Sequence, residues 1–130
     1  MTLLEALVVV AITAMIGAIG WPAMHAGEAA RALRSQSAAL VADLKRAHAA
    51  AVHLDRPISL AADADGGGWR WDGGALRVDP AIRVHADPVG PVVFYPDGSA
   101  SGSVLTIGTV RHPVRLTVDG PTGTIVASSR

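Results

Sequence analysis

The hydrophobic pattern of this chain changes character twice. From Ala6 to Met24 the run ALVVVAITAMIGAIGWPAM carries no charge, and Thr13 is its one ordinary polar side chain. At about 1.5 Å of rise per residue, roughly 19 helical residues cover roughly 28 Å, close to the hydrocarbon thickness of a bilayer. A helix apolar on every face belongs in lipid or in a large core. A chain of 130 residues that places so much of its apolar content in one run has no large core to offer. A secretory signal peptide would set a basic segment ahead of a shorter apolar run; here the nearest charge is the acidic Glu5. The run is therefore read as a single membrane span.

From Glu28 the period becomes helical and one-sided. Leu33, Leu40, Leu44, Ala47, Ala51 and Leu54 form a stripe, with Ser37 as its polar member, while Arg31, Ser35, Lys45, Arg46 and His53 fall opposite. The stripe predicts a helix packed on a soluble domain. Asp55-Arg56-Pro57 is expected to end it, because the residue before proline disfavours the α region. After Pro57 the pattern alternates in short segments: Ile58/Leu60/Ala62, Trp69/Trp71, Leu76/Val78, Ile82/Val84, Val92 to Tyr95, Val104 to Ile107, Val114 to Val118 and Thr124 to Ala127. Gly66-Gly67-Gly68, Asp72-Gly73-Gly74, Asp97-Gly98 and Asp119-Gly120-Pro121 supply turns between them. The prediction is an α+β fold: a long N-terminal helix, transmembrane in its first half, packed on a small antiparallel β-sheet domain. Its parts are residues 1–24 for the membrane and assembly half of the helix, 25–55 for the amphipathic half, and 56–130 for the β-domain.

Composition adds little to this picture. Net charge is zero and gives no general pull toward nucleic acid. With no cysteine, a small domain must be held by packing or by neighbours. Within the apolar run, Gly17, Gly20 and Pro22 predict a kink or loosened turn, since proline removes a backbone donor and clashes with the preceding turn. Trp21 stands where an aromatic anchors at a membrane surface. Glu5 is costly near the start of a spanning helix, about 2.5–3.5 kcal/mol at the bilayer centre and less near its edge. It is read either as a carboxylate favoured by the helix N-terminus or as half of an ion pair with a neighbouring subunit, whose N-terminal ammonium is the natural partner.

Met1-Thr2-Leu3-Leu4-Glu5-Ala6-Leu7-Val8-Val9-Val10-Ala11-Ile12 resembles the mature start of type IV prepilins and type II secretion pseudopilins, where Phe-Thr-Leu-hydrophobic-Glu opens an apolar helix. Met1 departs from the usual Phe. The resemblance implies that prepilin peptidase removes a short leader and N-methylates the new first residue, and the chain is read as beginning after that cut. It also implies that Glu5 pairs with the first-residue amine, here Met1, of an adjacent subunit during assembly. Pilins share a proline at the position of Pro22. In the C-terminal half, Phe94-Tyr95-Pro96-Asp97-Gly98-Ser99-Ala100-Ser101-Gly102 before Val104-Leu105-Thr106-Ile107 resembles the GspH/FimT group of minor pilins and pseudopilins, as do Arg56-Pro57-Ile58-Ser59-Leu60 and Trp69.

No residues announce chemistry. The five histidines have no ligand-like spacing, and no metal site is expected. Asp63, Asp65 and Gly66 hint at a calcium loop but lack its later ligands. Neither a nucleophile elbow nor a Walker lysine is present. Arg111, His112, Arg115 and Arg130 read first as a solvated strand face. FimT-type members bind DNA through C-terminal basic residues, so the resemblance offers Arg111, Arg115 and Arg130 a weak, salt-sensitive DNA contact; neutral net charge and Asp119 argue against it.

The expectation is a non-catalytic minor pseudopilin of the GspH type, without cofactor. It would sit single-pass in the inner membrane with its C-terminal domain in the periplasm, and enter the pseudopilus of a type II secretion system. Its expected partners are other pseudopilins or pilins through their N-terminal helices, the inner-membrane assembly platform and prepilin peptidase; nucleic acid is not among them. The rival readings are a FimT-like minor pilin that captures DNA and a major pilin. The disulfide-closed loop of many major pilins is missing here.

Overall fold

The computed structural model of the chain describes residues 2–129, less the side chains of Pro22, Ala23, Ala26 and Ser129. Two compact units divide it, residues 1–32 and 33–130. One helix, α1 (Leu3–His53), contributes to both.

In the first unit the helix starts at Thr2. Its carbonyl accepts the Ala6 N–H at 3.2 Å and its hydroxyl accepts the Glu5 N–H at 3.3 Å. Thr2-Leu3-Leu4-Glu5 therefore has the spacing of a capping box, with the acidic residue in the first turn where the helix dipole favours it.

In the second unit the helix buries one face. Leu40, Leu44, Ala47 and Ala51 are fully inaccessible, at the helical spacing the sequence shows. Leu54 departs from that stripe, 52% exposed, because the helix has already ended. The stop is a backbone device placed before Pro57. Asp55 takes a left-handed φ of 51°, and the Arg56 N–H closes back on the Ala51 carbonyl at 3.3 Å, the six-to-one bond of a Schellman ending.

Eight strands follow: β1 (Ile58–Ala62), β2 (Gly68–Trp71), β3 (Gly74–Arg77), β4 (Arg83–Asp87), β5 (Val92–Phe94), β6 (Ser103–Gly108), β7 (Pro113–Val118) and β8 (Ile125–Ser129). They form two antiparallel sheets, ordered β3-β2-β1-β5 and β4-β6-β7-β8. The expected small sheet is thus a pair. In the first, Ile58 lies opposite Phe94 and Leu60 opposite Val92. In the second, Val84 lies opposite Ile107 and Leu105 opposite Leu116. All eight of these side chains are buried, with Trp69 and Val118, so each sheet turns one apolar face inward.

Polar contacts fix how the helix sits on this core. Trp69 Nε1 donates to Asp43 Oδ2 at 2.8 Å. His48 Nε2 lies 2.8 Å from the Gly98 carbonyl oxygen, and its ring is 5.4 Å from that of Phe94. Gly123, at φ 65°, passes so close that a Cβ there would stand 2.7 Å from His48 Nε2 and 2.5 Å from the Gly98 oxygen. Any side chain at 123 would force the ring or the turn aside.

Leu44→Ala should destabilise the domain by about 2–5 kcal/mol and Gly123→Ala by about 1–3 kcal/mol, read by urea unfolding of the intact protein in detergent. Losses below about 0.5 kcal/mol for both would mean that this helix face is not packed as described.

Candidate functional site

The N-terminal unit is a site by exposure. Leu3–Trp21 is long and apolar enough to cross a membrane, with mean hydropathy 2.3 and none of it buried among the described residues. Leu3, Ile19 and Trp21 are 82%, 75% and 70% exposed. Surface of that kind needs lipid or other helices. Thr13 is already adapted to such a medium, since its hydroxyl donates to the Val9 carbonyl at 2.7 Å and leaves no unpaired donor. The helix continues through Gly17, Gly20 and Pro22 without a break. Pro22 has no N–H, so the Ala18 carbonyl lacks its ordinary helical donor. A Cβ at Gly17 or Gly20 would meet nothing within 4 Å, so both offer a flat place for another helix. At the end of the span, Trp21 and His25 stack edge to face at 5.3 Å, and His25 Nδ1 lies 3.5 Å from Glu28 Oε2.

Glu5 is exposed at the helix start, and among the described residues no cation lies within ion-pairing distance of it. Its carboxylate is favoured by the helix end but not neutralised. Met1, the other expected assembly residue, lies outside the described residues, so the pair it would make is not placed. Arg130 lies outside them too.

Arg115 falls in the second sheet and Arg111 in a loop joining two of its strands. Arg111 is exposed in the loop between β6 and β7. Arg115 stands on the outer face of β7, across from Thr106 and Ser128, and with them and Pro113 lines an open groove of about 400 Å³. Sequence spacing hides two neighbours. Arg83 pairs with Gly108 and His85 with Thr106, so β4 brings a further arginine and histidine to the sheet's edge. Arg83 Nη1 is held by the Pro80 and Ile82 carbonyls at 2.7 and 2.9 Å. A strand register set by residues twenty positions away leaves no local signal for this grouping. Among the described residues no group of His, Cys, Asp and Glu is arranged to hold a metal ion.

Two exposed carboxyls have depressed pKa values. The Gly67 N–H, at 2.8 Å, holds Asp65 below its ordinary range, with help from Arg77. Ser99 holds Asp97 down through its hydroxyl at 2.6 Å and its N–H at 2.9 Å. Asp97 thereby braces the turn whose Gly98 carbonyl meets His48.

No family model matches the chain, and neither does any curated protein. Solved structures do. The type IV minor pilin FimU of Pseudomonas aeruginosa, in space group P65, is 21% identical, with TM-score 0.59, over 74% of this chain and 92% of that one. In space group P21 the same pilin gives 19% identity and TM-score 0.60, over 74% of this chain and 87% of that one. EpsH, the minor pseudopilin of the Type 2 Secretion System of Vibrio cholerae, is 12% identical, with TM-score 0.60, over 75% of this chain and 96% of that one. At these identities the likeness establishes a pilin-like α+β fold.

A depressed carboxyl stabilises the fold above its ordinary pKa, and that contribution is lost as pH falls through the folded-state value. Thermal stability of the wild type should therefore fall on acidification below about pH 4. Asp97→Asn should show a shallower decline over the same range; an unchanged slope would remove Asp97 from the account.

Proposed function

We propose that the chain is a structural subunit of a type IV pilin-like filament, and within that class a minor pseudopilin of a type II secretion system. The observation that carries the reading is Leu3–Trp21: apolar on every face, covered by nothing among the described residues, and marked at its start by a carboxylate with no cation beside it among those residues. The shared fold of EpsH and FimU supports it. In this reading residues 1–24 hold the subunit in the inner membrane with its β-domain in the periplasm. Prepilin peptidase prepares the first residue. At the assembly platform Glu5 pairs with a neighbour's N-terminal amine, which offsets the cost of a carboxylate in an apolar medium. Ala11, Ala14, Gly17 and Ala18 admit neighbouring helices at close range. Slack at Gly17, Gly20 and Pro22 lets the helix adjust on leaving the bilayer. No catalytic step is involved.

A second reading, a minor pilin that binds DNA, is favoured by Arg83, Arg111 and Arg115, which lack carboxylate partners among the described residues. They would contact phosphate in a salt-sensitive way.

Glu5→Ala should leave the thermal unfolding of the β-domain unchanged, yet cut co-purification with candidate partner subunits about tenfold or more, as expected for one half of a desolvated ion pair. Wild-type recovery in that variant would remove the charge-pairing role. For the second reading, the detergent-solubilised protein is titrated with short duplex DNA at low and near-physiological salt. The secretion reading expects no saturable binding. Binding that disappears in Arg111→Ala/Arg115→Ala would shift the assignment to the pilus.

A further inference from the structure

We propose that the free edge of β8 takes up an extended peptide from another protein as a further strand, and that Arg115 selects a peptide with an acidic side chain facing it. This surface belongs to the β-domain alone and stands whichever filament the subunit enters.

Two open sheets have four edges, here β3, β5, β4 and β8. Three of them carry devices that discourage strand addition. β5 is three residues long and follows Pro91, and its free side is taken by residues 99–101. Phe94 bridges Ala100, the Ser101 N–H donates to the Val93 carbonyl at 2.8 Å, and the Val93 N–H donates to Ser101 Oγ at 3.0 Å. β4 sets Arg83, His85 and Asp87 along its length. β3 is four residues long, opens on Gly74 at φ 144° and ends on Arg77, which pairs with Asp65. β8 has none of these. Ile125-Val126-Ala127-Ser128-Ser129 holds neither a charge nor a proline, and among the described residues only β7 bonds to it. An uncharged edge rich in β-branched residues is a template for another strand.

The face beside that edge supplies the selectivity. The strand registers put His85, Thr106, Arg115 and Ser128 in one row across β4, β6, β7 and β8. In the next row Gly108 lies opposite Pro113 and has no side chain to fill the surface. Thr106, Pro113, Arg115 and Ser128 line the groove of about 400 Å³ that results, which holds one guanidinium, two hydroxyls and no carboxylate. Arg115 has no carboxylate partner among the described residues. Asp87, the acid of this face, is on β4, two strands away.

A strand added to β8 runs two strand spacings from β7, about 10 Å. Its side chain opposite Ser128 continues the row, and Ser128 is too small to stand between it and Arg115. A glutamate or aspartate placed there meets the guanidinium, with the Ser128 hydroxyl as a further donor. On the opposite face Ala127 is exposed and Ile125 half-buried, which favours apolar residues at the alternate positions. A second copy of β8 is the wrong guest, because Ile125 to Ser129 brings no acid to Arg115. Duplex DNA could offer phosphate to Arg115 but has no peptide backbone to pair with the edge.

Strand addition draws affinity from main-chain bonds and selectivity from alternate side chains, so the edge and the arginine can be tested apart. The full-length protein in detergent micelles is panned against random peptides of about eight residues, within the usual length of a strand. The selected peptides should alternate apolar with polar residues and carry Asp or Glu at one polar position. Panning on Arg115→Glu should replace that acid by Lys or Arg, and on Arg115→Gln should lose the preference without reversing it. The leading wild-type peptide should slow amide hydrogen exchange in β8 and leave Leu3–Trp21 unchanged. N-methylation of one alternate set of its backbone nitrogens should abolish binding, while methylation of the other set spares it. Changing its acid to Gln should weaken binding about fivefold at low salt, as for a partly exposed ion pair. No enriched sequence, slowed exchange outside β8, or indifference to both methylated sets would overturn strand addition. An acid preference that persists in both Arg115 variants would remove the selecting role of Arg115. Slowed exchange in β8 on concentrating the protein alone would make a second copy the occupant instead, and saturable duplex DNA binding lost in Arg115→Gln, with no peptide selected, would give the surface to nucleic acid; either result overturns the proposal.

Discussion

Burial of Leu40, Leu44, Ala47 and Ala51 is the interaction on which the β-domain depends. Hydrophobic contact is non-directional, so it holds the helix to the sheets without choosing its rotation. Direction comes from polar groups on the flanks of the stripe. Asp43 accepts the buried Trp69 indole N–H, and His48 meets the Gly98 carbonyl, one contact in the first sheet and one in the loop that leads to the second. Each group is satisfied, and among the described residues no buried side-chain donor or acceptor is left without a partner. With the helix so fixed, each sheet has one face to offer and one orientation in which to offer it.

Residues 3–21 live under the opposite constraint. None of this helix is buried among the described residues, so it draws its stability from its own backbone bonds and from whatever surrounds it. Thr2 caps it by accepting the Glu5 N–H, and the Glu5 carboxylate lies in the first turn, where the helix dipole favours it. Among the described residues no cation lies beside it. A charge retained at the apolar end of a helix is a directional feature on a surface that otherwise sticks to anything apolar.

Much of this was legible in the residues. Alternating Ile58/Leu60, Leu105/Ile107 and Leu116/Val118 announce their strands because burial on one face imposes a period of two. The helical stripe announces itself through Leu40, Leu44, Ala47 and Ala51. What stayed hidden depends on pairings between distant segments. Strand order, and with it the division into two sheets, is decided by which strand the chain returns to. Asp55-Arg56-Pro57 is expected to end the helix, and the device that ends it, a left-handed Asp55 that leaves Leu54 in solvent, has no signature in the pattern of apolar residues. Asp43 reads as a surface acid until Trp69 is brought to it. Glu5 stands out at once, and among the described residues no cation lies beside it.

The contact of His48 with Gly98 and Gly123 joins three points far apart in the chain, and it bears on synthesis. A ribosome delivers the N-terminal residues first. The helix is complete long before the loop that locks His48 has been made. Until Gly123 arrives and β8 pairs with β7, the apolar stripe has only a partial cover. The nascent chain therefore carries two sticky helical segments for most of its production, and the later residues of the β-domain hide the second of them.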